Sequence, residues 1–262
     1  MNATQIAQQE RERHREQVYR SFAETMAAYA TNIDYTLTLD DLARHEPTIP
    51  HLEATSNHCH LLSPRQLLHL LQGIGRFYAA RANYATATGH YERYRDELKN
   101  RADGVVEYAT SLNNLGFLYR SMGKYSDAEE CLTNALSIRE KQLGADHHET
   151  AQSQNNLAFL YTSLKRYDDA EQLYKLSLTS KGKQLRVDHP SIACTLNNLA
   201  DMYKEVGRYD DAEEFYMKAL SIRREQLVPN HPNTATSLNN LAELYQAMGR
   251  YKEAEPLYGR SL

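Results

Sequence analysis

The tripeptide Asn-Asn-Leu occurs four times in this chain, each copy 42 residues after the last. The asparagine pairs are Asn113-Asn114, Asn155-Asn156, Asn197-Asn198 and Asn239-Asn240. A fixed period of this size means that one small unit is stacked on copies of itself, because no unit alone can bury its apolar face. Such an array offers a long surface for binding. A catalytic site instead gathers different residue types at one place.

Laid over one another, the repeats begin at Ala109, Ala151, Ala193 and Ala235. Apolar residues recur at helical spacing, as in Leu112, Leu115 and Tyr119 or Leu196, Leu199 and Tyr203. That is one face of an α-helix. The residue after the second leucine is small (Gly116, Ala158, Ala200, Ala242), so a second helix can come close there. A turn follows, with Gly123, Gly207 and Gly249 in three repeats and Lys165 in the other. Glycine adopts the left-handed conformation of a helix end cheaply, so Lys165 should carry a small strain. A second helix is predicted from Tyr125, Tyr167, Tyr209 and Tyr251, with acids in its first turn that suit the helix dipole. It should run to about Leu143, Gln184 and Leu227. The next loop carries Asp146-His147-His148, Asp188-His189-Pro190 or Asn230-His231-Pro232, and proline is well placed at a helix start.

A degenerate copy precedes these. Leu71, Ile74, Gly75, Tyr78, Tyr84, Ala87 and Tyr91 fall in register at an offset of 41, with Gln72-Gly73 in place of the asparagine pair. Upstream, Val18, Phe22, Met26 and Tyr29 make one apolar stripe on a charged helix, and 31–63 should hold one or two short helices. The expected organisation is an N-terminal helical segment over 1–62, a degenerate first repeat over 63–108 and four 42-residue repeats over 109–262, the last truncated at Leu262. An uncapped repeat exposes its apolar face. Self-association there, or further repeats in a longer parent protein, are both expected options.

Bulk properties exclude several classes. With 30 basic and 34 acidic residues the net charge is −4, so nothing draws the chain to nucleic acid or an anionic membrane. No apolar run approaches a membrane span and the first ten residues are polar, so a cytoplasmic location is the default expectation. The three cysteines, Cys59, Cys131 and Cys194, have no paired spacing and are expected as buried free thiols.

The small-residue, Tyr, Gly-x-Tyr-x-x-Ala-Glu pattern resembles a tetratricopeptide repeat. The period of 42, the Asn-Asn-Leu-Ala motif, the Ile-Arg-Arg-Glu-Gln-Leu end of the second helix (222–227) and the Asp-His-Pro loop resemble the kinesin light chain type. The match spans 109–262 and more weakly 63–108. A shorter likeness, Thr48-Ile49-Pro50-His51-Leu52-Glu53 followed by Gly75-Arg76-Phe77-Tyr78, is to the junction ahead of such repeats in bacterial and fungal NB-ARC-type signalling ATPases. The chain has neither the heptad coiled coil of a kinesin light chain nor a Gly-x-x-x-x-Gly-Lys-Ser/Thr loop. The resemblance implies an all-α, superhelical tetratricopeptide-repeat solenoid of antiparallel helix pairs. It implies a non-catalytic scaffold, with no cofactor, that binds a protein or peptide in its concave groove. The alternative is the sensor or assembly region of a larger signalling NTPase.

The same resemblance places one stripe of the first helices in the groove. Its members are Asn114 and Phe117, then Asn156 and Phe159, then Asn198 and Asp201, then Asn240 and Glu243. An asparagine amide both donates and accepts, so a ladder of four could pair with any extended backbone. Equally, one asparagine of each pair could serve the neighbouring repeat. Phe117 and Phe159 make the first half apolar, while Asp201, Glu205 and Glu243 make the second half acidic. The ligand expected is therefore apolar at one end and basic at the other, whereas kinesin light chains favour acidic peptides. His147, His189 and His231 are expected to pack turns rather than bind metal. His58-Cys59-His60 has no standard zinc spacing. The turn cations Lys124, Arg166, Arg208 and Arg250 read as a solvated rim.

Overall fold

The computed structural model describes residues 3–33, 37, 39–57, 62–99, 104–186, 188–226 and 231–261. Among them the chain is built from α-helices with one short 310 turn, and it divides into two compact units, Met1–Lys124 and Tyr125–Leu262.

The first unit holds α1 (Ala3–Ala30), α2 (Leu39–His45), the 310 turn Glu46–Thr48, α3 (Ile49–Ser56), α4 (Pro64–Ala80), α5 (Tyr84–Leu98) and α6 (Val105–Ser121). The α4 helix starts where its chemistry says it should. Ser63 Oγ accepts the Gln66 N–H, the Gln66 side chain accepts the Ser63 N–H at 2.9 Å, and Pro64 follows. Its leucines, Ile74 and Phe77 form the core with Leu52, Tyr94 and Leu98.

The Gln72-Gly73 departure from the asparagine pair has a packing cause. The α1 helix lies on α4 through Ala23, Ala27 and Ala30. A Cβ on Gly73 would stand 2.7 Å from the Ala30 carbonyl oxygen and 2.8 Å from its Cβ. The four-residue stripe on α1 is thereby split. Met26 and Tyr29 pack on the core, while Val18 and Phe22 stay 55% and 45% exposed, because the contact is made by alanines small enough to bring the two backbones together.

The second unit stacks α7 (Tyr125–Leu143), α8 (His148–Ser163), α9 (Tyr167–Gln184), α10 (Pro190–Glu205), α11 (Tyr209–Gln226), α12 (Pro232–Ala247) and α13 (Tyr251–Ser261). Within a repeat, α8 packs on α9, α10 on α11 and α12 on α13. Tyr174 and Tyr216 are fully buried in the same core as the small residues Ala158, Ala200 and Ala242. The turns carry positive φ at Gly123, Gly207 and Gly249, and also at Lys165 (+59°) and, in the degenerate copy, Ala82 (+56°). Each non-glycine there costs on the order of 1 kcal/mol.

Between repeats the second unit uses buried cations. Arg139, Lys181 and Arg223 are spaced by 42 and only 2%, 3% and 7% exposed. Each donates to a first-turn carbonyl and to a hydroxyl one turn later on the next repeat's first helix. Arg139 reaches Glu149 O (2.9 Å) and Ser153 Oγ (2.8 Å), and Lys181 reaches Ser191 O (3.0 Å) and Thr195 Oγ1 (2.7 Å). Arg223 reaches Asn233 O (2.7 Å) and Ser237 Oγ (2.6 Å). The residues so held, Glu149, Ser191 and Asn233, also give their N–H to Nδ1 of His147, His189 and His231. These histidines, expected as turn packing, are therefore N-caps of α8, α10 and α12.

Two measurements follow. Gly73→Asn, which restores the second asparagine of the motif but collides with Ala30, should lower stability in urea by about 1–3 kcal/mol. Burial holds the Lys181 ammonium down at about 8, below its ordinary 10.5. The folded state thus favours the neutral amine. Its penalty is full below pH 8 and fades as pH rises from about 8 toward 10.5. Wild-type protein should gain stability over that window by up to about 3 kcal/mol relative to Lys181→Arg, measured by paired urea melts.

Candidate functional site

Three helices, α8, α10 and α12, supply the face on which the second-unit residues singled out by sequence are carried. Their side chains are buried or half-buried except for a few. The exposed ones past the first turn are Gln152, Cys194, Glu205, Thr236, Glu243, Gln246 and Ala247. Most of these fall on the stripe that includes Asn156, Asn198 and Asn240, which are half-buried. Cys194 is exposed on α10, contrary to the expectation of a buried thiol, because its position belongs to this open stripe. Cys131 is buried. In the first unit, Asn114 is half-buried on α6 and Phe117 is 44% exposed, with the Arg120 guanidinium 5.4 Å above its ring.

The asparagines are engaged along the seam between repeats. Asn155 and Asn197, first of their pairs, are buried. Asn198 Nδ2 donates to Asn155 Oδ1 of the preceding repeat at 3.2 Å, and Asn155 Nδ2 donates to Asn156 Oδ1 at 3.2 Å. In the next repeat the acceptor changes. Asn240 Nδ2 points to Asp201 Oδ1 at 3.4 Å, because Asp201 stands where Phe159 stands one repeat earlier. Asp201 also accepts from Asn197 Nδ2 at 3.1 Å and from the Tyr216 hydroxyl. Phe159 is partly buried against the core of the unit.

Burial pushes the Asp201 carboxyl up. The Tyr216 hydrogen bond and Lys204 oppose this, while Glu243 and Glu205 add to it. Burial and the neighbouring Asp201 charge push Tyr216 up as well. Glu243 is exposed and takes Asn239 Nδ2 at 2.7 Å and Lys204 Nζ at 3.1 Å. Glu205 accepts the Tyr167 hydroxyl at 3.3 Å.

The turn cations do more than line a rim. The Arg166, Arg208 and Arg250 guanidiniums lie over Tyr161, Tyr203 and Tyr245 at 3.9, 4.2 and 4.2 Å. Each also pairs with a carboxylate of the preceding repeat, Glu129 (2.7 Å), Glu171 (3.5 Å) or Glu213 (2.6 Å). Tyr203 and Tyr245 donate to the same Glu171 and Glu213 at 2.8 Å. Burial first and that carboxylate second push both phenols up to about 12. A phosphate would find these arginines already neutralised.

Among the described residues no three His, Cys, Asp or Glu side chains gather as a metal site, and no helix is long and apolar enough to cross a membrane. His58-Cys59-His60 lies outside the described residues.

The family model for the tetratricopeptide repeat matches residues 107–181 and 191–262, more than half of the chain. The chain belongs to the tetratricopeptide repeat family. No curated protein sequence matches it. Among solved structures it is similar to BtubC (BKLC) from P. vanneervenii, at 20% identity and a TM-score of 0.64 over 84% of this chain and 87% of that one. It is also similar to the nearly identical TPR-like repeats of a Podosopora anserina protein described as a kinesin light chain, at 25% identity and a TM-score of 0.58, over 74% and 92%. A third is a Rap protein complexed with Competence and Sporulation Factor, at 20% identity and a TM-score of 0.68, over 85% of this chain and 60% of that one. The repeats are thus an all-α solenoid of antiparallel helix pairs, and its structural relatives include kinesin light chain-like proteins.

Asp201 offers a test of the seam in this tetratricopeptide array. Asp201→Ala leaves three donors without an acceptor and should cost about 2–4 kcal/mol. Asp201→Asn keeps an acceptor and should stay within about 1 kcal/mol of wild type. The carboxyl is raised in the folded state, so charge there costs stability above its folded value. Acidification from that value toward the ordinary 3.8 relieves the cost. Wild type should therefore gain on Asp201→Asn as pH falls through that window, read by thermal melts at matched ionic strength.

Proposed function

We propose that this protein is a non-catalytic scaffold that holds a peptide, or an extended segment of a protein partner, against the open face of α8, α10 and α12. The observation that carries the reading is the confinement of exposed side chains on these helices largely to one stripe, across three consecutive repeats. Tetratricopeptide repeats stack into extended binding surfaces, and a seam already closed by its own hydrogen bonds leaves that surface preformed. Further support comes from two similar structures solved with a bound partner, one of them a peptide. One is the Rap complex, and the other is NprR in complex with its cognate peptide NprX, at 15% identity and a TM-score of 0.65.

On this reading Asn156, Asn198 and Asn240 play two parts. The amide N–H groups of Asn198 and Asn240 serve the seam and Asn156 Oδ1 accepts from Asn155, and the remaining lone pairs at the edge of the stripe are offered to ligand N–H groups. Phe159 supplies an apolar contact beside them; in the first unit Phe117 supplies an apolar contact and Asn114 an amide. Asp201 and Glu243 set the charge of the second half. The protein needs no cofactor for this.

The test is a panel of point variants against a displayed library of random nine-residue peptides. Phe159→Ala should weaken selected peptides by about tenfold or more, the usual loss for a buried aromatic anchor. Leu176→Ala and Met217→Ala, on exposed positions of α9 and α11, should leave binding unchanged. The opposite pattern would move the binding surface to the second helices.

A further inference from the structure

The first helix is longer than the contact that holds it. The α1 helix is fixed to the first unit by its last two turns, through Ala23, Ala27 and Ala30 with help from Met26 and Tyr29. From Gln8 to Phe22 every residue is exposed, a run of about four turns. That stretch carries three large apolar side chains in the open, Val18, Tyr19 and Phe22. Tyr19, Phe22 and Ala23 also line a groove of about 80 Å³ with Ala54 and Thr55 of α3. The Thr55 hydroxyl is already engaged, since it donates to the His51 carbonyl at 2.7 Å. We infer that this face of α1 is a two-fold interface with a second copy of the chain, the two α1 helices lying antiparallel and crossing between Val18 and Phe22.

The length of the free stretch calls for a partner. A lone helix of about fifteen residues is marginal in water, and helices in proteins draw most of their stability from packing one face. Support within α1 is slight. Arg20 and Glu16 stand 3.9 Å apart with both side chains mostly exposed, and Gln8 reaches Glu12 at 3.5 Å. Exposed pairs of this kind contribute little. A second helix laid along Val18 and Phe22 supplies the missing packing.

Charge selects which helix. From Glu10 to Glu24 the chain interleaves four glutamates (10, 12, 16 and 24) with four arginines (11, 13, 15 and 20). A surface of one sign would be attracted by half of these and repelled by the other half. A second copy of α1 carries the same balance and can answer both.

The order of residues on the face sets the orientation. Arg11 and Arg15 continue the stripe of Val18 and Phe22 toward the N-terminus at helical spacing. Parallel helices would stand each arginine against its own copy. Antiparallel helices paired about residue 20 set Val18 against Phe22 of the second copy and Arg15 against Thr25 of the second copy. The cations are then apart and the apolar side chains meet in a self-complementary patch, as a two-fold contact requires. Two helices that touch over about four turns bury an area at the low end of protein interfaces, so the dimer should be weak.

The experiment is sedimentation velocity on the full chain, with two double variants. Val18→Asp with Phe22→Asp makes the face acidic, and Val18→Arg with Phe22→Arg makes it basic. Both positions are exposed in the single chain, and circular dichroism with thermal melts checks the fold of each variant. Wild type should pass from monomer to dimer with a midpoint of about 10–100 μM. Each variant should weaken the dimer by about 30-fold or more, because like charges then face each other across the two-fold. An equimolar mixture of the two variants should regain the dimer. Phe22→Ser, which adds no charge, should weaken it about tenfold and serves if a charged pair disturbs α1. Wild type that stays monomeric up to about 300 μM would overturn the inference. So would a dimer that survives in the variants, by placing the contact elsewhere, as at the last repeat. Monomeric variants whose mixture stays monomeric would overturn the pairing of α1 with itself.

Discussion

A cation withdrawn from water closes each seam of the second unit, and the rest of the stack depends on it. Removing an ammonium or guanidinium from water costs several kcal/mol, recovered only to the extent that its protons find acceptors. Arg139, Lys181 and Arg223 find theirs in the same two places on the following helix, a first-turn carbonyl and a hydroxyl. Those acceptors exist only when the next repeat sits at one height and one rotation. The cost of burial is thereby turned into register. Arg139 alone adds a carboxylate, Glu149 at 3.3 Å. Lys181 must rely on neutral oxygens, and its lowered proton affinity is the physical result.

The second clamp works at the other end of the helices. Tyrosine, arginine and glutamate meet at each turn, with the guanidinium stacked on the ring and both groups sharing one acid from the repeat before. Surface ion pairs alone contribute little. Here the ring fixes the guanidinium and partly shields it, so the pair acts as part of a packed contact rather than as two mobile chains. With the buried cations near one end of the first helices and these clusters at the other, the middle of each first helix is left to the asparagines and to the open stripe.

Much of the fold could be read from the chain because periodicity reports what must be the same in every copy. The starts at Tyr125, Tyr167, Tyr209 and Tyr251, the buried Ala158, Ala200 and Ala242, and the strained Lys165 all followed from aligning repeats with each other. What periodicity could not give was the sign of burial for charged residues. Arg139, Lys181 and Arg223 look like surface cations in sequence, and only the hydroxyl 14 residues on (Ser153, Thr195, Ser237) hints at a partner. The histidine caps were hidden for a related reason, since histidine is not among the usual capping residues. In the first unit, the close approach at Gly73 could not be read from the repeats, because the partner, α1, comes from outside the repeat pattern.

The same logic separates structure from recognition. A residue that serves the seam meets an equivalent neighbour in each repeat and is held close to one chemistry, as the cations Arg139, Lys181 and Arg223 are. A residue that serves a ligand meets a different part of that ligand in each repeat and must differ. Asn156, Asn198 and Asn240 are constant, and the amides of Asn198 and Asn240 reach across the seam. One turn along, the chain changes from Phe159 to Asp201 to Glu243. Such variation in an otherwise strict array has a stability cost, visible in the buried carboxyl of Asp201 and the orphaned oxygen of Asn197. Part of that cost is offset at the seam itself, where Asp201 takes the Asn240 amide of the next repeat as well as the Asn197 amide and the Tyr216 hydroxyl.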